Sequence, residues 1–293
     1  MSAVVKLSAE LKSWIVSNLD RGCAPELLTR SMIDQKFEPA IAAGLIEAFA
    51  RARKEGRTIA GDTLTLESGP PAYAYGMPRL VPGNTIQTAD RTIGVAMRMH
   101  RPVVAVLVGV LSEPECDQLI ELARPRLTPS TVVDPVTGID TIAAHRNSEG
   151  MFFRLAETPF ISKLDHRISQ VMNSPVQNGE GLQVLRYGPG TQSTPHFDFL
   201  VPGNPANQQS LARSGQRVSS LVIYLNDVPE GGETFFPEAA LSVCPRKGHA
   251  VYFEYCNDAN QLDHLTLHAG APVIAGEKWA VTKWMRQRPF VSG

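Results

Sequence analysis

No apolar run in this 293-residue chain reaches the ~20 residues that a helix needs to cross a bilayer, so a helical membrane protein is not expected. Cysteine is scarce: Cys23, Cys116, Cys244 and Cys256 form no Cys-x-x-Cys pair and no dense framework. That argues against a disulfide scaffold and suits a reducing compartment. An excess of one charge is missing as well. A formal net charge of −1 supplies neither a basic field for nucleic acid nor an acidic tail. The residues up to Arg21 are charged and amphipathic and lack the continuous apolar core of a signal peptide, so a cytoplasmic protein is expected. There is no internal repeat and no low-complexity tract.

What is present is a hydrophobic content of 43%, enough to bury a large core in one main domain with an appendage. Leu11, Trp14, Ile15 and Leu19 recur at helical spacing behind Ser8, a candidate N-cap. Pro25 opens a second helix carrying Leu27, Leu28 and Met32, and Pro39 a third carrying Ile41, Leu45, Ile46 and Phe49. Residues 1–58 are therefore expected to be a three-helix segment. It resembles small helical modules that bind ubiquitin-like proteins or other partners, and it is short enough to serve instead as a helical cap on the main domain. Residues 59–100, rich in glycine and proline, read as an extended connection in which Tyr73 and Tyr75 are candidates to line a proline-binding groove. Residues 101–293 form the main domain.

That domain begins with the apolar strand Val103 to Leu111 and a helix at Ser112-Glu113-Pro114-Glu115 with capping-box spacing. A second helix, about Pro159 to Met172, is expected to back a sheet. After it come short β-rich runs punctuated by glycine and proline: Gly181 to Tyr187, Arg217 to Asp227, Gly231 to Pro237, His249 to Tyr255, Leu265 to His268 and Lys278 to Arg286. Short strands at this spacing without intervening helices indicate a double-sheet jelly roll or barrel.

Within these runs His196-Phe197-Asp198 is followed some seventy residues later by His268 and then by Lys278. On a strand, His196 and Asp198 would point to one face while Phe197 packs on the other. Two imidazoles and one carboxylate hold one face of an octahedral metal. Three adjacent positions stay open, as an iron(II) centre needs to take up a chelating keto acid and dioxygen. A basic residue after the last histidine can anchor the far carboxylate of that acid. His264 and His268 read as sharing a strand face, so alternation alone does not choose between them. No Ser/His/Asp or Cys/His nucleophile pattern surrounds the motif.

The phrases LQVLRYGPG, PHFDF, GQRVSSLVIYLNDVPEGGETFFP and LHAGAPVIAGEKWAVTKW, within about Pro102 to Phe290, resemble the prolyl 4-hydroxylase family of iron(II)- and 2-oxoglutarate-dependent dioxygenases, in its bacterial type. The resemblance implies a mainly β fold with flanking helices, a double-stranded β-helix with the metal between its sheets. It implies His196, Asp198 and His268 as iron ligands, which selects His268 over His264. Lys278 would pair with the distal carboxylate of 2-oxoglutarate, and Tyr187 and Thr234 would hydrogen-bond the same co-substrate. Arg217, Trp284 and Arg286 fall where the family contacts its peptide. The implied reaction consumes dioxygen, releases succinate and carbon dioxide, and hydroxylates a prolyl residue at C4, with ascorbate as reductant. Two alternatives stand beside it: hydroxylation of a free amino acid or other small molecule at the same iron site, and a jelly roll that binds metal or a partner without turnover.

Overall fold

In a computed structural model of the chain, which describes residues 3–66, 73–129, 132–133, 140–141 and 148–292, Ser8 accepts a hydrogen bond from the Leu11 amide at 3.1 Å. It caps helix α1 (Ala9–Asp20), as its position in the sequence predicts. Pro25 and Pro39 open α2 (Pro25–Asp34) and α3 (Pro39–Lys54), at positions where the amide that proline lacks would have had no helical partner. Ile15, Leu19, Leu28, Met32, Leu45, Ile46 and Phe49 are buried together, each such side chain contributing about 1.5–3 kcal/mol. Trp14 and Leu27 sit on the expected helical stripes but are exposed. A ribbon that periodicity did not suggest completes this unit: β1 (Ala3–Lys6) pairs antiparallel with β2 (Thr63–Leu66). It brings Leu66 within 3.3 Å of where a Cβ on Gly44 would stand, and Leu7 and Leu66 join the helical core. The segment read as a helical cap thus has a core of its own, in a unit spanning Met1–Ala74.

The second unit, Tyr75–Gly293, starts with β3 (Thr85–Gln87), β4 (Thr92–His100) and β5 (Val103–Val108). Ser112 and Glu115 then close a capping box on α4 (Glu113–Ala123). Next come β6 (Thr128–Pro129), β7 (Val132–Val133), β8 (Asp140–Thr141), β9 (Ser148–Phe153) and α5 (Pro159–Val171). They lead to β10 (Leu182–Tyr187), β11 (Ser193–His196), α6 (Pro205–Ser214) and β12 (Arg217–Tyr224). The remaining strands are β13 (Glu230–Gly231), β14 (Thr234–Phe236), β15 (Leu241–Val243), β16 (Ala250–Glu254), β17 (His268–Gly270), β18 (Val273–Ala275) and β19 (Lys278–Arg286).

Among the described residues nine strands form a large antiparallel sheet in the order β3-β4-β5-β16-β12-β19-β10-β9-β6, and four form a smaller one, β11-β17-β14-β15. This is the expected double-stranded β-helix. One face of the large sheet, with Val184, Val281, Ile223 and Leu221, packs with Ile161, Leu164 and Ile168 of α5 in the main core. The opposite face is left for the site.

Three expectations are corrected. Residues 59–100 are not one connection: β2 belongs to the small unit, and β3 and β4 are strands of the large sheet. A register shift between Val95 and Met97 breaks the alternation that would have marked β4. Residues 67–72 lie outside the described residues. Helix α6 interrupts the strands where none was expected, although Asn204 caps it on the Asn207 amide at 2.8 Å and Pro205 opens it. Lastly, Leu265 to His268 is not a strand. His264–Thr266 is a 3₁₀ turn, and β17 begins only at His268, so His264 and His268 share no strand face.

Candidate active site

β10, β12 and β19 of the large sheet and β11, β14 and β17 of the smaller one contribute to a cavity of about 350 Å³. Alternate residues reach it along two of these strands: Lys278, Ala280, Thr282 and Trp284 from β19, and Gln183, Leu185 and Tyr187 from β10. His196, Asp198, His268, Lys278, Tyr187, Thr234, Arg217 and Trp284 all line it. His264 and Arg286 do not, nor do Tyr73 and Tyr75; the Tyr75 hydroxyl instead donates to Asp263 Oδ2 at 2.7 Å.

His196 ends β11 directly opposite His268 at the start of β17, which brings the ring centroids to 4.4 Å. The strand does not continue through Asp198 as expected; Asp198 follows in a bend, and Phe197 turns aside to stack on Phe199 at 4.5 Å. His264 lies edge-on to both phenylalanines, a packing role. Each imidazole of the pair meets the carbonyl two residues before it, His196 Nδ1 on Thr194 at 2.8 Å and His268 Nδ1 on Thr266 at 3.1 Å. A carbonyl only accepts, so Nδ1 carries the proton and Nε2 keeps its lone pair. The two Nε2 atoms stand 3.6 and 3.8 Å from Asp198 Oδ1, and one ligand atom from each residue fits within 4.8 Å of the others.

The carboxylate is held from behind. Ser220 Oγ donates to Asp198 Oδ2 at 2.5 Å, and the Tyr255 hydroxyl lies 3.0 Å from Ser220 Oγ. With its own proton committed to Asp198, Ser220 accepts from Tyr255. Burial pushes the Asp198 carboxyl up, but His268, His196, Arg217 and the Ser220 hydrogen bond outweigh it and hold the group below the usual carboxylate range. Burial pushes His268 down to about 4, which keeps its ring neutral at pH 7. Two imidazoles whose Nε2 atoms face one ionised carboxylate are the donor set of a facial iron(II) site.

Elsewhere on the cavity wall stands Lys278, buried at 5% exposure, its Nζ 5.6 Å from the ring centre of Tyr187 and 5.5 Å from that of Tyr224. Burial pushes its amine down to about 8, against the pull of Glu233. Among the described residues no carboxylate hydrogen-bonds it, so a buried cation faces the cavity awaiting an anion. The Tyr224 hydroxyl donates to Thr234 Oγ1 at 2.7 Å, which leaves the Thr234 proton to donate to a ligand.

Arg217 lies on the third side, its guanidinium 4.0 Å above the Trp284 ring. Its Nε and Nη2 donate to the two carboxylate oxygens of Glu180 at 2.7 and 2.8 Å, and Nη1 to the Asp198 carbonyl at 3.2 Å. Arg286, expected at the peptide, is instead tied to Glu180 at 2.9 Å and to the carbonyls of Gly215 and Ser210. It braces Glu180 outside the cavity. Burial pushes the Glu180 carboxyl up, but the two arginines hold it below its usual value. The Trp284 indole N–H is buried and has no hydrogen-bond partner among the described residues.

Sequence reasoning missed Ser220, Tyr255 and Glu180, which hold the site residues, and Gln183, Thr282 and Phe152, which line the cavity. The serine pair inside the apolar strand RVSSLVIY was the one available signal.

A family profile described as the 2OG-Fe(II) oxygenase superfamily matches residues 182–286. The chain is 42% identical over 202 residues to prolyl 4-hydroxylase 1 of Arabidopsis thaliana, covering 64% of this chain and 70% of that protein. It is 37% identical over 188 residues to prolyl 4-hydroxylase subunit alpha-1 of Gallus gallus, covering 64% of this chain but 36% of that subunit. Among solved structures it is similar to the viral collagen prolyl hydroxylase of Paramecium bursaria Chlorella virus-1, with 31% identity, 62% of this chain and 95% of that one covered, and a TM-score of 0.49.

Proposed function

This chain belongs to the prolyl 4-hydroxylase family of iron(II)- and 2-oxoglutarate-dependent dioxygenases, and on that premise we propose that it hydroxylates a prolyl residue at C4 in a peptide or protein, releasing succinate and carbon dioxide. The observation that carries this reading is that a single cavity contains both the His196, Asp198 and His268 ligand atoms and the buried Lys278 cation. Iron(II), when bound, supplies the oxidative decarboxylation of 2-oxoglutarate with dioxygen and the oxidant for an unactivated C–H bond. Ascorbate serves as the reductant.

The protein's own residues bind and orient. His196 and His268 offer Nε2 because the Thr194 and Thr266 carbonyls fix their tautomers, and Asp198 offers Oδ1 because Ser220 occupies Oδ2. Lys278 receives the distal carboxylate of 2-oxoglutarate, with Tyr187 and Thr234 beside it. Arg217 retains unused N–H groups after its bonds to Glu180 and Asp198, and these with the Trp284 indole N–H meet backbone carbonyls of an extended substrate. Proline-rich chains suit such a groove, since their backbone is already extended and loses little entropy on docking.

The bacterial type of the family is part of the proposal and rests on the sequence phrases; the relatives named above come from a plant, a bird and a virus. The cytoplasm is the location we propose, supported by four cysteines that are all free thiols. No helix among the described residues is long and apolar enough to cross a membrane. The small helical unit is proposed as a protein-contact module, a reading supported by exposed Trp14, Val16 and Leu27. The free-amino-acid alternative is favoured by one observation, the modest volume of the cavity, near the lower end of the ~300–1,000 Å³ usual for ligand sites. Incubation with blocked proline peptides and with free L-proline, read as gain of one oxygen atom, decides between them. Efficient oxidation of L-proline with no turnover of any peptide would overturn the peptide reading.

A further inference from the structure

Next to the active-site cavity lies a second hollow of about 380 Å³, whose lining includes Phe152, Leu155, Glu180, Gly181 and Phe290. The two share Phe152, an aromatic side chain left 53% exposed on β9 directly opposite Gln183 of β10. Gln183 belongs to the first cavity and Gly181 and Glu180 to the second, so the step from one to the other is two or three residues along the chain, roughly 7–10 Å. Among the described residues the hollow's carboxylate, Glu180, is already committed to Arg217 and Arg286. What remains toward Phe152, Leu155 and Phe290 is an apolar shelf. Arg154 and Ser292 also line the hollow.

Building on the proposed peptide substrate, we infer that this shelf is a specificity subsite, occupied by one apolar side chain of the substrate a few residues from the target proline. The first cavity must hold a five-carbon keto diacid and a prolyl ring within about 350 Å³, so the residues flanking the proline have to run out of it. An extended chain leaving past Phe152 advances ~3.3 Å per residue and comes onto the shelf within a few positions. An apolar side chain placed there is removed from water against Phe290 and Leu155, which favours binding without touching the chemistry.

The test walks a single leucine through each position on both sides of the proline in a blocked Gly/Ser-rich peptide, at saturating 2-oxoglutarate. One position should lower the KM for peptide about tenfold, a difference of about 1.4 kcal/mol, with kcat unchanged. In Phe290→Ala and in Leu155→Ala that advantage should shrink to within about twofold. The leucine-free peptide should be hydroxylated by both variants with the wild-type KM and kcat, which also reports that they fold. No preferred position, or a preference that survives both substitutions, overturns the subsite. Failure of every peptide while free L-proline is oxidised overturns the peptide reading and the subsite with it, and is distinguishable because no leucine position is then compared at all.

Discussion

Ser220 donates its hydroxyl to Oδ2 of Asp198 at 2.5 Å and so fixes which oxygen of that carboxylate faces His196 and His268. Neither partner can be replaced from solvent, since Ser220 is fully buried and Asp198 nearly so. Hydrogen bonds that orient a ligand in this way commonly contribute 10–100-fold to metal affinity. Ser220→Ala is expected to raise the iron(II) concentration for half-maximal activity by that factor, with kcat at saturating iron changed far less. An unchanged iron requirement would show that Asp198 is positioned by its backbone alone.

Lys278 makes two predictions of opposite sign over one pH window. Its folded-state pKa of about 8 lies below the ordinary 10.5 because burial disfavours the charge. Between those values the unfolded chain binds more protons, so this group's contribution to stability rises with pH from about 8 upward. The empty site meanwhile loses its cation over the same range, and the KM for 2-oxoglutarate should climb above about pH 8. Lys278→Ala should raise that KM by about two decades or more at pH 7, because the carboxylate is then buried unpaired. Smaller rises are expected for Tyr187→Phe and Thr234→Ala. A flat KM between pH 7 and 9.5 in the wild type would refute the assignment of Lys278.

Glu180 holds the buried Arg286 and the half-buried Arg217, and removing it leaves both without their carboxylate. Glu180→Ala is expected to cost about 3–5 kcal/mol in urea unfolding. Arg217→Ala should raise the KM for peptide much more than that for 2-oxoglutarate. Arg286→Ala, whose side chain faces Gly215 and Ser210 instead of the cavity, should lower stability and leave the KM for 2-oxoglutarate unchanged. Equal effects of Arg217→Ala on both constants would remove Arg217 from peptide binding.

His264→Ala should retain iron-dependent turnover, with the loss of its edge-on contacts to Phe197 and Phe199 as its only consequence. His268→Ala should lose turnover altogether. The reverse pattern would mean that the wrong histidine has been placed at the metal.

The residues proposed to touch a ligand were legible because their chemistry is rare and their spacing is set by strands. His196, Asp198 and Lys278 stand out as residue types in a pattern, whereas only the resemblance selected His268 over His264. Ser220 and Glu180 were not legible, because a serine in a strand and a glutamate before a glycine are common and acquire meaning only through partners 22 and 37 residues away. The three N-terminal helices followed from caps and periodicity, whereas β1 and β2 are four-residue strands some sixty residues apart that no local pattern connects. Residues 85–100 were misread because the glycine and proline before them set the impression of a linker, and a register shift hid the alternation of β4. Helix α6 carried a recognisable Asn204-Pro205 start that the count of strands on either side overshadowed.

The most direct test of the central claim is the yield of succinate and of hydroxylated proline from a blocked peptide, measured together with iron(II), 2-oxoglutarate and dioxygen in the wild type and in Asp198→Ala. Equal amounts of the two products are expected in the wild type, falling to none in Asp198→Ala while its far-ultraviolet circular dichroism stays native. Wild-type turnover rates in a folded Asp198→Ala would contradict the account.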